Sequence, residues 1–129
     1  RTHEAAALPF CGEHNIGVLV RGQMAQGVLS GKYGPDDRFD DPTRSGWNSG
    51  AGRKSFQAKV AAAEALRPLV NETRSMAQLA LAFSVAHPAT TCAIPGARSP
   101  EQARANAAAS TLKLSEEDLA VLRSVVVSG

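Results

Sequence analysis

Aromatic side chains, cysteine and long apolar runs are all scarce in this sequence. Aromatic residues make up 5% of its 129 residues, whereas 23 alanines supply much of the 43% apolar fraction. Because alanine buries little area, the core must depend on a few larger side chains, and we expect the chain alone to be marginally stable. No apolar run approaches the ~20 residues of a membrane span, and no signal-peptide pattern opens the chain. A membrane is therefore not an expected partner, and the cytoplasm is the expected location.

Charge is not concentrated in any one stretch. The 14 basic and 12 acidic residues are scattered and leave a net charge of +2. No basic stripe interleaved with aromatic residues occurs, so nucleic acid is not an expected partner. The two cysteines, Cys11 and Cys92, match no metal-binding or redox spacing, which predicts neither a metal site nor a disulfide. Cys92 lies in an apolar run and is predicted to be a buried thiol.

Two short apolar segments, Ile16–Val20 and Thr90–Pro95, are predicted to be strands buried on both faces. Helical segments separate them, which is typical of a parallel sheet in an α/β fold. Two parallel strands cannot cover both of their own faces, so we expect the chain to be incomplete and to associate with itself or with a missing half. The start at Arg1, without a methionine, also suggests a piece of a longer product.

Apolar spacing and capping residues predict the helices. A helix over 54–70 is indicated by apolar residues at helical spacing, and three serines precede helix starts at Ser75, Ser99 and Ser115. The helices, their capping residues and their apolar faces are as follows: 4–14; 54–70 with Phe56, Val60, Ala63, Leu66 and Val70; Ser75 with Gln78, then Leu79, Phe83 and Ala86, ending at His87-Pro88; Ser99 with Pro100 and Gln102; and Ser115 with Asp118, then Leu119, Leu122 and Val126.

Residues 33–52 form the longest stretch without a predicted helix or strand. They hold Gly, Pro, Asp, Ser and Arg, with only Phe39 and Trp47 as large apolar groups. A loop of this length in a compact domain is typically a functional lid or disordered. We expect residues 34–52 to be poorly ordered or displaced when no cofactor is bound.

Polar and glycine residues follow both predicted strands, where ligands bind in parallel α/β folds. Arg21 to Gly27 follow the first strand, and Pro95 to Ser99 lead from the second into a capped helix. Free backbone N–H groups at that helix start, with Arg98 beside them, suit an anion such as a phosphate. The same residues also suit a plain turn with a solvated Arg98. The residues alone favour neither interpretation.

Four stretches taken together resemble the aldo-keto reductase family. Their order and spacing match the end of the family's (β/α)8 barrel, from the sixth helix through the seventh and eighth strands. The resemblance covers nearly the whole chain. The stretches are Leu8 to Cys11 with Glu13 to Val18, Ala25 to Tyr33, Gln78 to Ala82, and Ile94 to Gln102 with Asn106.

The resemblance implies an α/β fold, the C-terminal part of a (β/α)8 TIM barrel spanning residues 1–129 with its last two strands and their helices. Family members reduce aldehydes and ketones with NADPH, using an Asp, Tyr, Lys and His in earlier strands. The resemblance therefore implies no catalytic residue here, and Tyr33, His3, His14 and His87 fall outside the catalytic motifs. The implied NADP(H)-binding residues are Arg21, Gly22, Gln23, Met24, Ala25, Gln26, Lys32 and Arg38, with Gly96, Arg98, Gln102 and Asn106 for the adenosine and its 2′-phosphate.

Departures from the family pattern keep a second function open. Arg21 stands where many members carry an aromatic residue that stacks on the nicotinamide, and Gly22-Gln23-Met24 replaces Ser-Pro-Leu. Ala105 stands where a carboxylate is usual. The resemblance implies either the cofactor-binding half of a carbonyl reductase acting on a small-molecule substrate, or a non-catalytic cofactor-sensing or regulatory module. Arg21 mildly favours the module, and the preceding sequence would separate the two.

Overall fold

The computed structural model describes residues 2–125. Its order is α1 (Thr2–Ala5), α2 (Ala7–Glu13), β1 (Leu19–Val20), α3 (Gly50–Glu64), α4 (Met76–Ser84), β2 (Cys92–Ala93), α5 (Pro100–Ala108) and α6 (Glu116–Ser124). Four 3-10 helices at Ala25–Ser30, Ser45–Asn48, Arg67–Leu69 and Ala109–Thr111 complete it. Among these residues no helix is both long and apolar enough to cross a membrane.

The two strands pair in parallel, as the sequence predicted. Leu19 pairs with Cys92, and Val20 pairs with Ala93. The strands are shorter than predicted, and the prediction that they are buried on both faces is wrong, since Leu19 is 66% exposed. Cys92 is likewise exposed, not buried. Residues 2–125 form a sheet of only two strands, so no third strand covers these side chains.

The core lies on the side of α3 and α4. Phe56 and Leu79 are completely buried, and Val28 from the turn after β1 is 1% exposed. The predicted apolar face of α3 is confirmed at Phe56, Val60 and Ala63. The helix covers Gly50–Glu64 and not 54–70, with Leu66 buried just beyond its end.

Four aromatic side chains pack against one another and supply bulk that alanine cannot. Phe39 meets Tyr33, Trp47 and Phe56 edge to face, with ring centroids 5.1, 5.5 and 5.1 Å away. Trp47 stacks on Phe56 at 5.2 Å. Such pairs add about 0.5–1.5 kcal/mol each beyond the area they bury. The expectation that the core depends on a few large side chains is therefore confirmed.

The predicted loop 33–52 is packed and partly regular. Both of its large apolar residues are buried, Phe39 at 6% and Trp47 at 9% exposed. A 3-10 helix occupies Ser45–Asn48, and α3 begins at Gly50. Two buried aromatic residues thus anchor this segment in the core, and its displacement without cofactor stays a prediction.

The three serine-led helix starts are confirmed. Ser75 and Ser115 form reciprocal capping boxes with Gln78 and Asp118, and the Ser99 hydroxyl accepts from the Gln102 backbone N–H at 3.2 Å. The other helix predictions need smaller corrections. The helix expected over 4–14 breaks at Ala6, α4 ends at Ser84 with Ala86 exposed beyond it, and the predicted position Val126 lies outside the described residues.

Candidate functional site

A cavity of about 540 Å³ lies beyond the carboxyl ends of both strands. We name it the strand-end cavity. The turn after β1, the loop before α3 and the start of α5 supply its walls. Its lining consists of Met24, Gln26, Gly27, Ser30, Lys32, Tyr33, Asp41, Thr43, Arg44, Ala77, Gly96, Ala97, Arg98, Gln102 and Asn106.

Seven of the twelve predicted cofactor-binding residues line this cavity: Met24, Gln26, Lys32, Gly96, Arg98, Gln102 and Asn106. They come from two segments that lie about seventy positions apart in the chain. The parallel strand pair brings these segments to one edge, as the sequence predicted from the strand order.

Five predicted residues lie elsewhere: Arg21, Gly22, Gln23, Ala25 and Arg38. Arg21 and Gly22 are exposed, while the Gln23 amide donates to the Val20 carbonyl and Ala25 packs against the core. The exposed guanidinium of Arg38 donates to the Asn48 carbonyl, so Arg38 is not a lining residue.

Arg44, which was not predicted, lines the strand-end cavity. Its Nε donates to Asp41 Oδ2 at 2.8 Å, and its Nη1 donates to the Tyr33 hydroxyl. The guanidinium carbon lies 4.9 Å from the centroid of the Phe39 ring. No local sequence signal distinguishes Arg44 from Arg38, because both occur in a stretch without helical or strand periodicity.

Tyr33 contacts two of the cations that line the strand-end cavity, Lys32 and Arg44. The Lys32 ammonium lies 4.9 Å from the centroid of its ring, and Arg44 bonds its hydroxyl. A Cβ added at Gly27, whose φ is 97°, would lie 3.3 Å from the ring. Glycine fits this position because it tolerates both the left-handed backbone and the close ring. Gly27 and Tyr33 both belong to the stretch Ala25 to Tyr33, which contributes to the family resemblance. That stretch could have predicted that both residues line the cavity.

The backbone is strained where it enters the cavity wall. Ala25 and Gln26, which precede Gly27, have φ values of 45° and 56°. Side-chain-bearing residues adopt such angles at a cost of order 1–3 kcal/mol, and they concentrate at functional sites. The left-handed turn places Gln26 in the cavity lining while Ala25 packs against the core.

The start of α5 differs from its predicted state. The Arg98 backbone N–H donates to Gln102 Oε1 at 2.8 Å, and the Gln102 N–H is capped by Ser99. The Glu101 carboxylate accepts hydrogen bonds from its own backbone N–H and from the Ser99 hydroxyl, which lower its pKa. The expectation of free N–H groups is therefore wrong, and an anion here would rely on the Arg98 guanidinium and the helix dipole.

Positive charge dominates the cavity. Among the described residues, Lys32, Arg44 and Arg98 line it together with one carboxylate, that of Asp41. Burial alone would raise the pKa of Asp41, but the hydrogen bonds and charge of Arg44 outweigh burial and lower it. Such a donor set fits a ligand with several phosphate oxygens, and the volume lies in the usual range for small-molecule sites. Among residues 2–125 no cluster of His, Cys, Asp or Glu could hold a metal ion.

A second cavity, of about 520 Å³, lies beside β2 between α4 and α5. Within the part of the chain that the structure describes, its lining is mostly apolar and includes no charged side chain. It therefore does not fit a phosphate-bearing ligand. The lining residues are Leu81, Val85, Thr91, Cys92, Ala93, Pro95, Ala97, Ala103, Asn106, Ala107, Ala109 and Ser110.

Comparison with known proteins identifies the family. The family model described as Aldo/keto reductase family matches residues 1–127. The chain belongs to the aldo-keto reductase family. The uncharacterized oxidoreductase YqkF of Bacillus subtilis (strain 168) is 33% identical over 118 residues, which are 91% of this chain and 37% of that protein.

Solved structures of the same family show which part of the fold this is. Glycerol dehydrogenase AKR11B4 from Gluconobacter oxydans matches all of this chain with 41% of its own, at a TM-score of 0.73 and 25% identity. The apo form of aldo-keto reductase AKR11C1 from Bacillus halodurans matches 91% of this chain with 36% of its own, at a TM-score of 0.57 and 27% identity. The chain thus spans about two fifths of these relatives, and its fold is the C-terminal part of a (β/α)8 barrel.

Proposed function

We propose that this chain is the NADP(H)-binding part of an oxidoreductase that reduces aldehydes or ketones. The supporting observation is that Lys32, Arg44 and Arg98, from three separate segments, line one cavity at the carboxyl ends of the two strands. In α/β barrels that end of the strands is where ligands bind. Because the chain belongs to the aldo-keto reductase family, we infer that the ligand of this cavity is a nicotinamide dinucleotide.

The cations divide between the two phosphate-bearing parts of the cofactor. Lys32 and Arg44 would hold the pyrophosphate, which NADPH and NADH share. Of the predicted range Gly22 to Gln26, Met24 and Gln26 line the cavity and would lie along the pyrophosphate and its ribose. Arg98 would meet the 2′-phosphate, which only NADPH carries. Gln102, Asn106 and Gly96 would contact the adenosine. The Asn106 amide donates to the Gly96 carbonyl at 3.3 Å, which orients it toward this wall.

This chain's part in the reaction is to bind and orient the cofactor. The cofactor supplies a hydride to the carbonyl carbon when bound, and the carbonyl oxygen needs a proton donor. The family's catalytic residues do not correspond to positions in this chain. The donor would therefore come from a preceding part of a full-length protein, as would part of the substrate pocket.

A non-catalytic cofactor-sensing module is the second candidate. Arg21 favours it, because an exposed guanidinium stands where an aromatic residue would stack on the nicotinamide. The two candidates share the strand-end cavity and differ in turnover. Steady-state assays of the full-length protein with NADPH and a panel of small aldehydes separate them, since the module binds NADPH and does not consume it.

Fluorescence titration of NADPH into the full-length protein tests the binding proposal. We expect saturable binding that Lys32→Ala weakens, because a phosphate loses its counter-charge. Lys54→Ala is the matched control, since Lys54 is exposed and does not line the cavity. Equal affinity for the wild type and Lys32→Ala would remove Lys32 from the site, and an absence of binding by the wild type would refute the proposal.

A further inference from the structure

Asp41 is out of place in a cavity that is to bind phosphates. It is the one carboxylate among the described residues that line the strand-end cavity. A negative charge beside a phosphate site opposes binding, so charge alone gives no reason for an acidic residue there.

The Asp41 carboxylate bonds both the side chain and the backbone of Arg44. Its Oδ2 accepts from Arg44 Nε at 2.8 Å, and its Oδ1 accepts from the Arg44 backbone N–H at 3.1 Å. The far side of the same guanidinium donates to the Tyr33 hydroxyl. Arg44 is thus held at both ends.

Aromatic rings complete this support. The guanidinium carbon lies 4.9 Å from the Phe39 ring centroid and 5.5 Å from that of Tyr33. The side chain is 17% exposed. An arginine fixed in this way loses little further freedom when it binds a phosphate, which favours tight binding.

We infer that Asp41 is a positioning residue that holds Arg44 ready for the cofactor's pyrophosphate, and that this ordering outweighs the repulsion between its carboxylate and the phosphates. The inference rests on the proposed function, because it takes the dinucleotide as the ligand. The Asp41 carboxylate bonds Arg44, and in this proposal it acts through Arg44.

The loss of charge and the loss of positioning predict opposite changes in ligand affinity for the substitution Asp41→Asn. Asp41→Asn removes a negative charge, which by charge alone would strengthen the binding of any phosphate. It also weakens the hold on Arg44, which would weaken binding. In a protein that already carries Arg44→Ala there is no guanidinium for Asp41 to position. Asp41→Asn then affects binding only by removing a negative charge. If Asp41 only stabilised the fold, the effect of Asp41→Asn on ligand binding would have the same sign with and without Arg44.

The test is a double-mutant cycle with three ligands. NADPH, NADH and inorganic pyrophosphate are titrated into the full-length wild type, Asp41→Asn, Arg44→Ala and the double variant. We expect Asp41→Asn to weaken all three by about tenfold in the wild-type background. In the Arg44→Ala background it should leave binding unchanged or strengthen it.

Asp40→Asn is the matched control. Asp40 is the adjacent carboxylate, is exposed, and has no hydrogen bond or ion pair within residues 2–125. It should bind all three ligands as the wild type does. Should Asp41→Asn fail to fold, as judged by thermal unfolding, Asp41→Glu replaces it, since moving the carboxylate by one methylene also disturbs Arg44.

Each outcome is decisive. If the wild type binds dinucleotides and Asp41→Asn binds them equally or more tightly, the positioning inference is wrong and the proposed function stands. If the wild type binds pyrophosphate with the expected Asp41 dependence but neither dinucleotide, the proposed function is wrong and the positioning of Arg44 stands. If it binds none of the three, both are wrong.

Discussion

Arg74 and Asp118 form a two-pronged ion pair that ties α6 to the segment before α4. Arg74 Nη1 donates to Asp118 Oδ2 at 2.7 Å, and Nη2 donates to Oδ1 at 3.0 Å. The Ser115 backbone N–H also donates to this carboxylate, at 3.0 Å, and Arg74 Nε donates to the Leu69 carbonyl. The Asp118 side chain is 9% exposed and that of Arg74 is 21% exposed.

Replacing Asp118 by Asn should lower the free energy of unfolding substantially. The change leaves a largely buried guanidinium without its counter-charge. Breaking a buried pair costs about 3–5 kcal/mol, and the partial exposure of Arg74 places this pair at the lower end of that range. Urea unfolding of the full-length protein measures it. Glu117→Gln, at an exposed carboxylate one position earlier, should change stability by less than about 0.5 kcal/mol. Equal effects of the two substitutions would mean that the ion pair contributes nothing.

The same ion pair predicts a dependence of stability on pH. The hydrogen bonds from Arg74, then those from Ser115, lower the pKa of Asp118 below its ordinary value. A carboxyl group with a lowered folded-state pKa stabilises the fold above the unfolded-state pKa of about 3.9. Its contribution is lost as pH falls through the lower folded-state value. The difference in stability between the wild type and Asp118→Asn should therefore be constant from pH 7 to about pH 5 and shrink below about pH 4. A difference that persists unchanged at pH 2 would contradict this assignment.

Gly52 and Gly46 provide a test of how the loop before α3 is packed. A Cβ at Gly52 would lie 1.9 Å from the Gly46 carbonyl oxygen, whereas a Cβ at Gly46 meets nothing within 4 Å. Gly52→Ala should therefore lower the unfolding free energy by about 3 kcal/mol. Gly46→Ala should cost less than about 0.5 kcal/mol. Thermal unfolding of the two variants measures the contrast, and similar melting temperatures would show that this contact is not tight.

The correct predictions about the fold came from patterns within short stretches of sequence. Ser75, Ser99 and Ser115 each start a helix because the N-cap interaction is encoded within four consecutive residues. The parallel pairing followed from two apolar segments separated by helices. Burial of the strands could not be predicted in this way. The exposure of Leu19 and Cys92 depends on which strands lie beside them, and that is not a property of their own segments.

The residues that line the strand-end cavity were predicted where a motif runs continuously and missed where a loop folds back. Lys32 and Arg98 lie within recognisable stretches, and both line the strand-end cavity. Arg44 and Asp41 reach the cavity because Phe39 and Trp47 anchor their loop in the core. Sequence spacing gives no measure of that long-range packing. The Arg74–Asp118 pair was missed for the same reason, since only the capping role of Asp118 is local.

Arg44 and Arg38 should differ in their effect on cofactor binding. Arg44 lines the cavity, so Arg44→Ala should weaken both NADPH and NADH by about 1.5–3 kcal/mol, the worth of a hydrogen bond to a charged group. Arg38 is exposed and bonds the Asn48 carbonyl, so Arg38→Ala should change either affinity by less than about 0.5 kcal/mol. Fluorescence titration of both cofactors measures this. A larger loss for Arg38→Ala would show that the loop binds the cofactor in another arrangement.

The most direct test of the account is the cofactor selectivity of Arg98→Ala. Titrating NADPH and NADH into the full-length wild type and this variant should show tighter wild-type binding of NADPH. The variant should lose about 1.5–3 kcal/mol for NADPH and much less for NADH, which has no 2′-phosphate to leave unpaired. Arg104→Ala is the control, because Arg104 lies on α5, directly after the Arg98 segment, is exposed and does not line the cavity. Equal losses for the two cofactors, or no loss for either, would contradict the assignment of Arg98 to the 2′-phosphate.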